Sequence, residues 1–227
     1  MNARSDRYLI RVALSAALLL ATVPAKADWA ALSWDACGAH ILAKSFACDS
    51  NAGEERLVVS ALRDSVVGYT SGLVCSLDVV VAAAQIPPWW QMSTAECRAG
   101  MLRTSFFPGQ LDASCSTAFA DGCMAGGIYR IDSRGARLNL LVTAGDPCQG
   151  ISMTPNLETF VLALDLQHDK SLGVGSCTGC DLAACALLRD LTFVDDAGRS
   201  IFHMPLPPEK TLLAWQGTTA NCLERIS

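Results

Sequence analysis

Apolar and polar residues alternate along much of this chain. In the stretch from Leu73 to Val81, Leu73, Cys75, Leu77, Val79 and Val81 interleave with Val74, Ser76, Asp78 and Val80. Period two with one mostly apolar face predicts a half-buried strand, and the valine and leucine content favours sheet over helix. Thr159 to Gln167 is apolar almost throughout and predicts a buried strand. After a glycine- and cysteine-rich turn, Ala186 to Val194 predicts another. Further strands are expected at Trp29–Ser33, Arg56–Leu62, Arg98–Phe107 and Thr211–Gln216. Gly127–Asp132 and Arg137–Thr143 look like the arms of a hairpin turning at Ser133–Ala136.

Turn signals separate these runs. Asp49–Gly53 and Asp195–Gly198 carry residues that bond their own backbone or accept left-handed geometry. Ile86-Pro87-Pro88-Trp89-Trp90 ends a strand, because proline cannot donate to a ladder. The local exceptions are a short turn or helix leading to Cys97 and a short helix around Ser116–Asp121. Eight or nine strands without a long amphipathic helix predict an all-β fold. The expected form is an antiparallel two-sheet β-sandwich, a jelly roll being one version, stapled by disulfides.

The first 27 residues change the picture. Arg4, Arg7 and Arg11 precede the apolar run Val12–Ala21, and Ala25-Lys26-Ala27 follows. That is the three-part pattern of a secretory signal peptide, and its apolar core falls short of the roughly 20 residues a membrane span needs. The expectation is a leader at 1–27 and one domain at 28–227, secreted or periplasmic, with no membrane span. The chain has 17 basic and 22 acidic residues. Loss of the leader removes four basic residues and one acidic, leaving 13 and 21, so nucleic acid is excluded as an expected partner.

All 11 cysteines follow the leader. Export allows them to persist as disulfides, and the odd number leaves at least one free or paired between chains. Candidates for bridges are Cys37, Cys48, Cys97, Cys115, Cys177, Cys180, Cys185 and Cys222. Eight cysteines allow 105 pairings. The working expectation is Cys37 with Cys48, Cys97 with Cys115, Cys177 with Cys185, and Cys180 with Cys222.

The order of short motifs carries a resemblance. Leu32-Ser33-Trp34-Asp35-Ala36-Cys37-Gly38, Phe46-Ala47-Cys48-Asp49-Ser50-Asn51, Pro87-Pro88-Trp89-Trp90-Gln91 and Glu96-Cys97-Arg98 come first. Val174-Gly175-Ser176-Cys177-Thr178-Gly179-Cys180, Ala184-Cys185 and Trp215-Gln216-Gly217 near Cys222 follow. This set resembles a group of exported bacterial cysteine-rich proteins of about this length with no assigned function. The likeness covers most of the chain after the leader and implies an exported, cysteine-stapled domain. It implies no activity, and Cys75, Cys123 and Cys148 look like additions to the pattern.

Candidate chemistry is sparse. Cys177-x2-Cys180-x4-Cys185 has spacing that suits structural disulfides, a zinc site completed by Cys222 or His168, or a redox pair. The redox reading lacks its strand-to-helix context, and export favours disulfides. His40, His168 and His203 stand in no G-x-S-x-G or H-E-x-x-H frame. Glu54-Glu55 and Asp195-Asp196 sit in turn-like sequence. Gly173-x-Gly175 lacks the third glycine and lysine of a phosphate loop, and Asp49-x-Asn51-x-Gly53 lacks the remaining ligands of a calcium loop. Trp89 and Trp90 are the candidate ligand platform, with one of the two expected to face solvent because strand neighbours point to opposite sides.

These readings lead to a non-enzymatic exported module that binds an unknown ligand or surface partner, or associates with the envelope, and needs no cofactor. One alternative is a secreted hydrolase of polysaccharide or peptide using carboxylates such as Asp165 or Asp78. A second is a zinc-binding protein using the Cys177–Cys185 cluster.

Overall fold

In the computed structural model, residues 28–65, 70–107, 115–119, 125–146 and 150–226 are described. The expected leader at 1–27, Cys123 and Cys148 lie outside the described residues. Twelve strands are found among the described residues, in two sheets that pack face to face.

The first sheet is built from β1 (Trp29–Trp34), β3 (Glu54–Leu62), β9 (Thr159–Gln167) and β5 (Leu102–Ser105), in that order across the sheet. The two-residue β6 (Ser116–Thr117) adds to β9. The second sheet runs β2 (Ala43–Lys44), β12 (Leu212–Trp215), β10 (Ala184–Val194), β4 (Gly72–Val81), β8 (Arg137–Gly145), β7 (Ala125–Arg134). Its β11 (Ser200–His203) pairs with β10. Pairing is antiparallel except at the short β2–β12 and β6–β9 contacts. The expected all-β sandwich is the observed architecture. One helix, α1 (Thr219–Ile226), closes the chain, and Pro88–Trp90 forms a single 3₁₀ turn.

The alternation seen in the sequence sets the core. Leu73, Cys75, Leu77, Val79 and Val81 of β4 enter one buried cluster with Leu57 and Val59 of β3 and Leu162 and Leu164 of β9. The other half of each strand faces outward. β9 is buried at all nine positions, so it is covered on both sides, as its continuous apolar sequence requires. The β7–β8 hairpin is tighter than expected, with only Gly135 and Ala136 between the strands. Gly135 takes φ +58°, the sense that a two-residue hairpin loop asks of its first residue. Ser116–Thr117 is strand, not the start of a helix, because Ser116 and Thr117 register against Thr159 and Phe160 of β9.

Aromatic side chains lock the sheets together. Trp89 stacks on Trp215 at 5.3 Å between ring centroids, and Trp90 meets Trp89 edge-on at 5.0 Å. Trp34 and Trp215 donate their indole N–H groups to the Ala214 and Cys180 carbonyls. The fully buried Arg98 guanidinium lies 3.8 Å from the Trp89 ring centre and donates to the carbonyls of Trp89, Gln167 and Asp169. Burial pushes Arg98 down to about 10, so it stays charged at neutral pH. This cation has a structural role, tying the Trp89 turn to the end of β9.

Candidate functional site

The sulfur pairing differs from every expected pair. Bridges join Cys37 to Cys115, Cys48 to Cys180, Cys97 to Cys177 and Cys185 to Cys222. Cys177, Cys180 and Cys185 therefore belong to three different bridges. They offer neither the thiolates of a zinc site nor a redox pair. Gly179 between them has φ +100°, and a Cβ there would come within 2.5 Å of Pro87. The glycine is needed for this loop to dock on the Pro87-Pro88 turn, where Trp89 N–H donates to the Thr178 carbonyl. Cys75 is the free cysteine among the described residues. It is wholly buried, and burial pushes its thiol far above the usual range, which makes it inert.

Trp89 and Trp90 are not a surface platform. They are 0% and 3% exposed. The strand argument for one outward ring fails because these residues form a 3₁₀ turn, which points both indoles between the sheets. Beside Trp90, Trp34 and Trp215 lies an apolar void of about 20 Å³, room for roughly one water and no larger ligand.

The histidines differ in availability. His168 is buried and stacks on Phe46 at 3.7 Å. Its Nδ1 faces the Ala52 carbonyl at 2.8 Å and its Nε2 faces Glu55 at 3.1 Å. Both nitrogens are engaged, so this ring has none left for a substrate. Glu55 also pairs with Lys44, which pairs with Asp35. Burial alone would lower the Lys44 ammonium, but hydrogen bonds to Asp35 and Glu55 outweigh it and hold it above its usual value. Glu158 approaches the Cys37–Cys115 sulfurs. These are bonded to each other, and the carboxylate accepts from Ser60 and the Gly38 amide.

His203 is different. Its side chain is 66% exposed, and its Nε2 lies 3.0 Å from Ser200 Oγ. Its Nδ1 lies 2.6 Å from Thr192 Oγ1 and 3.3 Å from Asp190 Oδ1, while the Thr192 hydroxyl donates to Asp190 Oδ2 at 2.7 Å. Nδ1–H donating to Thr192 leaves Nε2 to accept the Ser200 proton. No sequence frame announced this group, because its members come from two strands paired across a bulge between Phe193 and Val194.

The two carboxylates considered for a hydrolase do not face each other. Asp165 points out of the first sheet, where Arg56 grips it at 2.6 and 3.1 Å. Asp78 points out of the second sheet, on the opposite side of the sandwich, as the inward neighbours Leu164 and Leu77 require. Neither can share a glycosidic bond with the other.

The outer faces also differ in cover. Over the first sheet, Cys37, Cys115, Val58, Phe160 and Ala163 make a second small apolar cluster. On the outer face of the second sheet, among the described residues, Cys185–Cys222 ties α1 down over Leu212 and Ala214 at the β12 end. Farther across this face Arg189, Leu141, Arg137 and Arg130 are exposed, while Asp78 and Thr192 are buried. Its rows follow the strand register. Asp190, Ser76, Leu141 and Arg130 form one row, and Leu187, Asp78, Asn139 and Asp132 form the next. Asp78 sits buried at the centre and accepts from Arg189 Nε at 2.7 Å and Asn139 Nδ2 at 3.1 Å, with Arg137 Nη1 at 3.4 Å. A bulge between Leu188 and Asp190 aims Arg189 there. The only trace in the sequence is the pair Arg189-Asp190, which interrupts an apolar strand.

The chain matches no protein-family model, and no curated protein resembles it in sequence.

Proposed function

We propose that this is an exported binding module that engages its partner through the open outer face of the seven-stranded sheet. The observation that carries this reading is the polar array around the buried Asp78, which holds the exposed Arg189 and Arg137, while the opposite outer face carries an apolar cluster of its own. Four disulfides suit an oxidising compartment, and no helix among the described residues is long and apolar enough to cross a membrane. The test is amide hydrogen exchange of the purified protein with and without isolated envelope fragments. Protection confined to β4, β8 and β10 is expected. Protection centred on β9 and β3 instead, or none, rejects the reading.

A second reading is hydrolysis, favoured by Ser200, His203 and Asp190 on the same side of the molecule. Serine, imidazole and carboxylate in hydrogen-bond reach are the elements of an activated nucleophile. A fluorophosphonate probe that labels Ser200 in the wild type and not in His203→Ala would support it. Equal labelling of both, or of neither, rejects it.

A further inference from the structure

We infer that Arg189 and Arg137, braced on Asp78, form a site for a carboxylate of an acidic peptide segment whose neighbouring aliphatic side chain enters the depression beside Arg189. This rests on the reading of the open face as a binding surface and names the ligand chemistry.

The two guanidinium groups converge on one oxygen, Asp78 Oδ2, through Arg189 Nε and Arg137 Nη1. Asp78 answers two cations, and counting Arg130 and Arg134 against Asp132 and Asp190 on the same face leaves a single net positive charge. Asp78 is 7% exposed at its side chain, whereas Arg189 and Arg137 are 39% and 45% exposed. The brace is buried and the donors are wet. Each guanidinium has five N–H donors in a fixed plane and uses one nitrogen on Asp78, so the rest of each fork is oriented without being consumed. A preoriented arginine fork is the side chain best matched to a bidentate carboxylate. The bulge that frees Arg189 from the strand register is the backbone device that aims it. Arg130 and Arg134 stand on the same face in cross-strand register with Leu141 and Arg137, in a chain whose overall balance is acidic.

The flank decides between ligand classes. Arg189 also lines an open depression of about 360 Å³ with Leu187, Leu206, Pro208 and Leu212, within the size range of small-ligand sites. Its walls are aliphatic, and Trp34, Trp89, Trp90 and Trp215 are all in the core. Sugar rings are held by flat aromatic faces, which this depression lacks. An aliphatic side chain next to an acidic one fits both halves of the site, in the manner of arginine-cluster recognition of acidic motifs.

The test is a titration of the full protein, followed by amide shifts, with an end-blocked peptide alternating glutamate and leucine. The same peptide with glutamine for glutamate and a trigalacturonate serve as comparisons. The acidic peptide is expected to shift amides around Asp78, Arg137 and Arg189 and to weaken with added salt. Arg189→Gln and Arg137→Gln should each weaken it at least tenfold. Arg189→Lys should recover only part of the affinity, and Arg199→Gln, off this face, should change nothing. Equal binding of the glutamine peptide at the same amides overturns the carboxylate site and leaves the open face as a binding surface. Trigalacturonate binding there without the peptide overturns the peptide assignment. Acidic-peptide binding that leaves these amides unmoved, or no binding at all, overturns the inference; the exchange experiment on envelope fragments then decides separately whether the face binds anything.

Discussion

The outer faces of the two sheets each carry a buried aspartate gripped by arginine, and the two pairs lead to different ends. On the first sheet, Arg56 meets Asp165 with both ends of its fork, and the Arg56 side chain is 24% exposed. That pair is bidentate. Hydrogen bonds donated to Asp165 hold the Arg56 guanidinium above its usual value despite burial. On the second sheet, one aspartate receives two arginines that are 39% and 45% exposed. The first arrangement seals a covered surface; the second presents donors from an open one. An ion pair seen in isolation says little about its role, and the decisive difference is what each guanidinium has left over.

Breaking the cover of the first sheet gives the largest expected effect. Replacing Cys37 and Cys115 together with serine opens a loop closed across 78 residues, and chain entropy puts the loss at roughly 4 kcal/mol. Denaturant unfolding measures it, and the second sheet's face should still bind if the protein is kept folded. Next, Asp165→Asn should cost roughly 2 kcal/mol, below the value for a fully buried pair because part of Arg56 is solvated. Asp78→Asn should cost only about 1 kcal/mol, since its arginines can turn to water. It should nevertheless reduce binding of the acidic peptide, because the brace is gone. If Asp78→Asn destabilises more than Asp165→Asn, the contrast between a structural and a presenting pair falls.

The smallest effect is expected at the Asp195 turn, which belongs to neither face. Hydrogen bonds from Arg199 hold the Asp195 carboxyl below its usual range. A lowered folded value means that its contribution is present above the unfolded pKa of about 3.9 and is lost as pH falls through the folded value. Asp195→Asn should therefore lower stability slightly at neutral pH and not at all in strong acid, as thermal melts at the two pH values would record.

The fold was legible in the sequence where a pattern is local. Alternation from Leu73 to Val81 gave the inward face of β4, and the mostly apolar run of β9 gave a buried strand. Sulfur pairing was not legible, because Cys48 lies beside Cys180 through the pairing of β2 with the distant β12, which no local pattern announces. Trp89 and Trp90 misled because period-two reasoning was carried into a segment where two prolines replace strand by a 3₁₀ turn. The open face escaped notice for another reason. Arg137 and Asn139 are ordinary outward strand residues that cross-strand register brings beside Asp78, and Arg189 reaches it through a bulge that the sequence does not announce.

The bridges bear on how the chain must be made. If the chain is exported amino end first, as proposed, Cys37 and Cys48 are its earliest thiols, eleven positions apart, and their native partners arrive only with Cys115 and Cys180. Fast oxidation at that stage joins the wrong two sulfurs. Cys177 and Cys180 invite the same error later, since each belongs to a distant partner. Native protein then depends on thiol–disulfide exchange to reshuffle early mistakes, so yield in any host should track isomerase capacity more closely than oxidising power.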